Sequence, residues 1–228
     1  MKMGKLQVLA LSIVGMVVFN PTVSHALMLI GGDGLLGSYS GSLNYSFTNS
    51  TTAQLEIFLT NTSPADNGGY LTAFVFNNPR NRITDISFSS SDPDFNLLGE
   101  DSSFQNGVNG RPYGQFDIGA STGSAFQGGG KPSKGIAVGD TESFTFDLTG
   151  HHLDILTEET FLNTLSRRPG AGQGRKSFVA RFRGFEDDGS DKVPGGPGEN
   201  PVAPEPATMI LFGAGMVGGA VMRKKKSL

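Results

Sequence analysis

The chain has 228 residues and a formal net charge of −3, with 17% charged residues and neither cysteine nor tryptophan. Lacking cysteine, it has no disulfide scaffold, thiolate metal centre or cysteine nucleophile. The acidic balance argues against nucleic acid, whose recognition needs Lys and Arg clustered on one face.

In chain order, Lys2 and Lys5 precede an apolar run from Leu6 to Phe19, and Ser24 and Ala26 supply small residues two apart. This order of features predicts a secretory signal peptide over residues 1–26, cut between Ala26 and Leu27. The apolar run is short for a permanent anchor, which needs about 20 residues. Without Lys2, Lys5 and the four terminal cations, 12 basic residues face 21 acidic ones, a formal charge of −9.

The central patterns have period two, which is the strand period. Leu43 to Phe47 alternates, and Leu55, Ile57 and Leu59 share one face. Tyr70 to Phe76 is nearly continuous in apolar residues, and Ile83 to Phe88 ends at Asp92-Pro93. Phe144, Phe146 and Leu148 alternate with polar residues, as do Phe178, Ala180 and Phe182 with Val179, Arg181 and Arg183. Short strands between turn signals predict a mostly β fold, an antiparallel β-sandwich over residues 27–190. Its expected core is Leu55, Ile57, Leu59, Phe74, Phe76, Phe144, Phe146, Phe178 and Phe182. One short helix is expected from Glu158 to Leu165, with Thr157 as N-cap and two acids in the first turn. Residues 119–135 and 168–176 are Gly-rich and read as loops. Residues 191–203, rich in Pro and Gly, read as a linker to a terminal segment at 204–228.

That segment starts at Pro204-Glu205-Pro206, continues as an apolar run from Ala207 to Met222, and closes on Arg223, Lys224, Lys225 and Lys226. As a helix the 16-residue run covers about 24 Å, short of a hydrocarbon core of about 30 Å, and the cations snorkel to cover part of the difference. Positive charge stays cytoplasmic, so residues 223–226 form a basic stop inside and the preceding domain lies outside.

Motif, spacing, apolar run and basic end together resemble the PEP-CTERM sorting domain of Gram-negative bacteria. The resemblance covers about 25 residues. It implies recognition by exosortase, a membrane-embedded protease, with processing at or near Pro204, Glu205 and Pro206, and an association with exopolysaccharide and biofilm. Leu59 to Ser63, Val138 to Phe146 and Phe178 to Phe185 further resemble ectodomains that occur with such tails, without bringing an activity.

Other motifs carry less. Gly119-Ala120-Ser121-Thr122-Gly123 fits the nucleophile-elbow spacing, but no helix can start in the glycines at 128–130. Gly213-Ala214-Gly215-Met216-Val217-Gly218 fits a dinucleotide fingerprint without a βαβ unit. Gly215 and Gly219 also fit a helix-packing face. His151 and His152 are adjacent, so on a strand they point to opposite faces. Asp92 with Asp94, and Glu186, Asp187, Asp188 and Asp191, are the oxygen ligands calcium would suit. Asn44, Asn49 and Asn61 begin formal glycosylation sequons. The expected function is a non-enzymatic exported surface or matrix protein, without a resident cofactor, whose partners are exosortase, the membrane and extracellular polysaccharide. The rivals are a carbohydrate-binding module presenting Tyr39, Tyr45, Tyr70 or Tyr113 on one face, and a secreted hydrolase.

Overall fold

Alternating apolar residues commit long stretches of the chain to strands, and a computed structural model describes residues 26–32 and 36–198. The signal-peptide run and the whole segment 204–228, with its expected membrane helix at 207–222, lie outside the described residues. The strands are β1 (Leu27–Gly31), β2 (Tyr39–Asn49), β3 (Thr52–Asn61), β4 (Gly68–Phe76), β5 (Ile83–Ser90), β6 (Asn96–Leu98), β7 (Val108–Asn109), β8 (Gln115–Phe116), β9 (Ile118–Ser121), β10 (Thr141–Gly150), β11 (Phe178–Phe185) and β12 (Ser190–Pro197). The helix α1 spans Glu158–Asn163.

Ten strands form one antiparallel sheet in the order β5-β10-β3-β2-β1-β12-β11-β4-β9-β6, and β7 pairs with β8 separately. Strands β4 and β10 are far apart in that order. Even so, the rings of Phe74 and Phe144 meet edge-on at 4.7 Å, and those of Phe76 and Phe146 at 5.3 Å. The sheet is therefore rolled over into two facing layers, hydrogen-bonded to each other through β1 and β12. All nine expected core residues are buried between the layers. Helix α1 closes one opening. Its Phe161 lies against Tyr45 and Phe76, and its Glu158 carboxylate accepts the Tyr45 N–H at 2.9 Å.

The N-cap is Thr157, as expected, in a reciprocal capping box with Thr160. The helix stops two residues before Leu165. The Thr164 hydroxyl bonds back to the Thr160 carbonyl, and the Ser166 backbone N–H is taken by the Lys176 carbonyl.

Two loop assignments give way to strands. Residues 118–121 form β9, hydrogen-bonded between β4 and β6, so the loop expected at 119–135 starts later. Burial of Ile118 and Ala120 outweighs the low strand propensity of Gly119. The linker expected at 191–203 is corrected more substantially, because β12 runs to Pro197 in the middle of the sheet. Each of its two prolines faces a single paired neighbour, Pro194 opposite Val179 and Pro197 opposite Leu29. A missing N–H is tolerated at such positions. Gly195 faces Gly31 across the ladder, and the buried Tyr39 ring lies over both. A Cβ on Gly195 would come within 1.9 Å of the Tyr39 hydroxyl, and one on Gly31 within 2.4 Å of the ring. The glycines that look like linker sequence are thus the seat of a core tyrosine.

Asn61, at the end of β3, is fully buried. Its amide donates to the carbonyls of Gly69 (3.1 Å) and Ile136 (2.9 Å), and its side-chain oxygen accepts the Ser63 N–H. This accounts physically for the Leu59 to Ser63 pattern and leaves Asn61 closed to glycosylation. At about 1 kcal/mol per net hydrogen bond, Asn61→Ala should lower unfolding free energy by about 3 kcal/mol. Urea denaturation would measure it, and a loss no larger than that of an exposed-site substitution would remove the anchor role.

Candidate functional site

The outer face of β4 and β11 does not meet solvent as simple alternation implies. Val179, Ala73 and Val75 pack under Leu98, Val108, Phe116 and Phe126, a second apolar cluster formed where the excursion between β6 and β10 folds back over the sheet. Arg181 is caught beneath it, with 9% of its surface exposed. One guanidinium nitrogen donates to the Phe126 carbonyl at 2.8 Å and its Nε has no partner. Arg183 donates to the carbonyls of Gly129 and Gly130.

Beside this cover lies a shallow pocket of about 560 Å³, lined by Arg111, Pro112, Arg168, Pro169, Gly170 and Lys192. Two loops make its rim and hydrogen bonds lace them together. The Gly170 N–H donates to the Pro112 carbonyl at 2.7 Å, and Gln115 and Arg167 exchange backbone bonds of 2.7 and 3.0 Å. The Ser166 hydroxyl donates to the Tyr113 carbonyl. Gly114 permits this approach, since it has φ +110° and a Cβ there would meet the Arg167 carbonyl at 2.3 Å. Lys176 sits over the Tyr113 ring, 5.8 Å from its centre. Lys192 comes from β12, directly opposite Arg181 in the ladder. Partial burial first, and then the like charge of Arg181, lower the Lys192 pKa. Burial and neighbouring Arg183 lower that of Arg181. Among the described residues the ion pair found is Lys134 with Asp94, so the pocket's cations form no ion pair.

The residues singled out in the sequence fall elsewhere. The Ser121 hydroxyl of the elbow-like motif is buried in its own turn, donating to the Ala125 carbonyl and accepting the Gly123 N–H. His151 and His152 lie in the exposed turn after β10, where Arg82 holds their carbonyls. Three of the acidic candidates accept backbone N–H groups. Asp92 accepts from Asp94, Asp187 from Gly189, and Asp191 from Gly37 and Lys192. Among the described residues no three His, Asp or Glu side chains converge in a way that could hold a metal. Of the four tyrosines, Tyr70 and Tyr113 stay partly exposed. Tyr39 and Tyr45 are buried, the first in the core and the second donating to the Leu153 carbonyl at 2.7 Å. Sequence reasoning missed the basic pocket because its residues come from three separate stretches. The signal present in the chain was the run of cations at 167, 168, 175 and 176.

The chain enters this domain at Leu27, where β1 begins, with Ala26 exposed just before it. It leaves after Pro197, which pairs with Leu29, and the Gly198 N–H donates to the Met28 carbonyl at 2.8 Å. Entry and exit therefore lie side by side at one end of the rolled sheet. Among the described residues no helix is long and apolar enough to cross a membrane. The PEP-CTERM protein-sorting motif matches residues 202–226, so the chain carries a PEP-CTERM sorting motif, which supports an exported protein targeted to exosortase. A comparison of the whole chain with curated proteins finds no match. The matched residues include Pro204, Glu205, Pro206 and the basic stop at Arg223, Lys224, Lys225 and Lys226, all outside the described residues.

Proposed function

We propose that this protein is a non-enzymatic component of the cell surface or extracellular matrix, delivered by a signal peptide cut between Ala26 and Leu27 and then processed by exosortase at Pro204-Glu205-Pro206. The sorting-motif match carries this reading. The adjacent ends of the domain support it, since two membrane-directed segments leaving one end can enter the same bilayer without threading around the fold. The position of β12 sharpens it. Six residue steps separate Gly198 from Pro204, which span at most about 22 Å when fully extended. Exosortase would then act with the folded domain close to the membrane. Association with exopolysaccharide or a biofilm matrix is part of the same proposal and follows the family of the tail. The use of Ser121 inside its own turn supports a role without hydrolysis.

Replacing Pro204, Glu205 and Pro206 by alanine tests the reading in a host with exosortase. Export should continue while an uncut, membrane-bound form accumulates, visible by fractionation and by mass spectrometry of both termini. The parent should begin at Leu27 and lack residues 207–228. Neutralising Arg223, Lys224, Lys225 and Lys226 should instead weaken retention and release precursor. A motif variant processed like the parent would defeat the proposal.

A further inference from the structure

We infer that the pocket between the 111–115 and 166–170 loops is a binding site for a single oxyanion, a carboxylate, sulfate or phosphate group, held by Arg111, Arg168 and Lys192. This goes beyond the sorting role and does not depend on it. Three observations carry it. First, three cations from three separate stretches of chain line one pocket, and among the described residues none of them forms an ion pair with a carboxylate. Their side chains make no hydrogen bond within the described residues. Like charges gathered without counterions repel, and in a segment with a formal charge of −9 there is no general excess of cations to explain the gathering. Second, the rim is built in advance. The bonds from Gly170 to Pro112, between Gln115 and Arg167, and from Ser166 to Tyr113 fix both loops with no ligand in place, so little ordering cost falls on binding. Third, the ladder places Lys192 against Arg181, whose charge is buried and whose Nε is unpartnered. An anion in the pocket relieves that local excess of positive charge. The nearest acid on the same strand, Asp191, is occupied by the backbone N–H groups of Gly37 and Lys192.

The chemistry favours an oxyanion over a halide or a neutral group. Guanidinium forks match planar or tetrahedral oxygens with paired hydrogen bonds, and the ammonium adds a point charge. Pro112 and Pro169 give the rim apolar surface against which the remainder of a ligand can rest. The net formal charge of −9 disfavours a densely charged anionic polymer and favours one charged group recognised locally. Lys192 lies five residues before Pro197 on β12, about 17 Å back from the end that adjoins the sorting segment. A membrane at that end leaves the pocket accessible.

Titration calorimetry on the purified mature protein at low ionic strength tests the site, using sodium sulfate, inorganic phosphate and sodium glucuronate in parallel, with glucose as the neutral control. Saturable one-site binding of at least one anion, and none of glucose, is expected. Tighter binding of glucuronate assigns the site to a saccharide carboxylate, and tighter binding of sulfate or phosphate assigns it to a free inorganic ion; both uphold an oxyanion site. Arg111→Ala with Arg168→Ala should weaken binding at least roughly tenfold, the loss of about one charge-assisted hydrogen bond. Both side chains are exposed, so the thermal midpoint should hardly move. Lys192→Met keeps the stem and removes the charge, and should weaken binding with the fold intact. Absence of saturable binding by all three anions, or binding unchanged in the double variant, would overturn the inference.

Discussion

A chain ending at Gly189 should fail to fold, whereas one ending at Gly198 should unfold cooperatively with full stability. The eight residues between them form β12, paired to β11 from Phe178 to Arg183 and to β1 from Leu29 to Gly31. Without β12 both neighbours lose a partner and the hydrogen-bonded joint between the two layers opens. The seat of Tyr39 goes with it, as does the burial of Val193. Each ladder bond contributes on the order of 1 kcal/mol, and burying one valine contributes about 2 kcal/mol. The sum is comparable to the whole stability of a typical domain, about 5–15 kcal/mol. Thermal unfolding and amide hydrogen exchange of both truncations, each starting at Leu27, check this. Equal stability of the two would mean that residues 190–197 are a linker after all.

Phe74→Ala should cost about 3–5 kcal/mol, the range for emptying a buried phenylalanine site. The Phe74 ring meets those of Phe76, Phe144, Phe146 and Phe178. It thus touches both layers and leaves a cavity that neither can fill by a local shift. Phe74→Leu retains most of the volume and should cost roughly 1 kcal/mol. Phe47→Ala is the control, because that ring is 53% exposed, and it should stay within about 0.5 kcal/mol of the parent. Urea midpoints at constant slope measure all three. A Phe74→Ala loss no greater than that of Phe47→Ala would show that the layers do not meet through this ring.

Much of the architecture is legible in the sequence. Alternation is a local property, so Leu55, Ile57 and Leu59, or Phe144 and Phe146, declare a buried face from five consecutive residues. The N-cap at Thr157 is similarly local, since cap and first turn lie within four residues. Glycine and proline misled for the same reason. Within a local window Val193-Pro194-Gly195-Gly196-Pro197 has the composition of a linker, and only the approach of Tyr39, more than 150 positions earlier, explains why side chains are absent there. Asn61 was visible as part of a pattern, while its role depended on Gly69 and Ile136.

The sequence by itself determined the strand-rich class, the residues of the main core and the sorting motif, because each is written in neighbouring residues and is read, by packing or by a protease, as a contiguous stretch. Tertiary structure alone decided that the sheet continues through β12, that the two ends of the domain lie side by side, and that Arg111, Arg168 and Lys192 share one pocket. Those facts depend on which strands pair and on how the sheet rolls over. Strand pairing is settled by burial summed across the whole domain, so no local stretch of the chain can encode it.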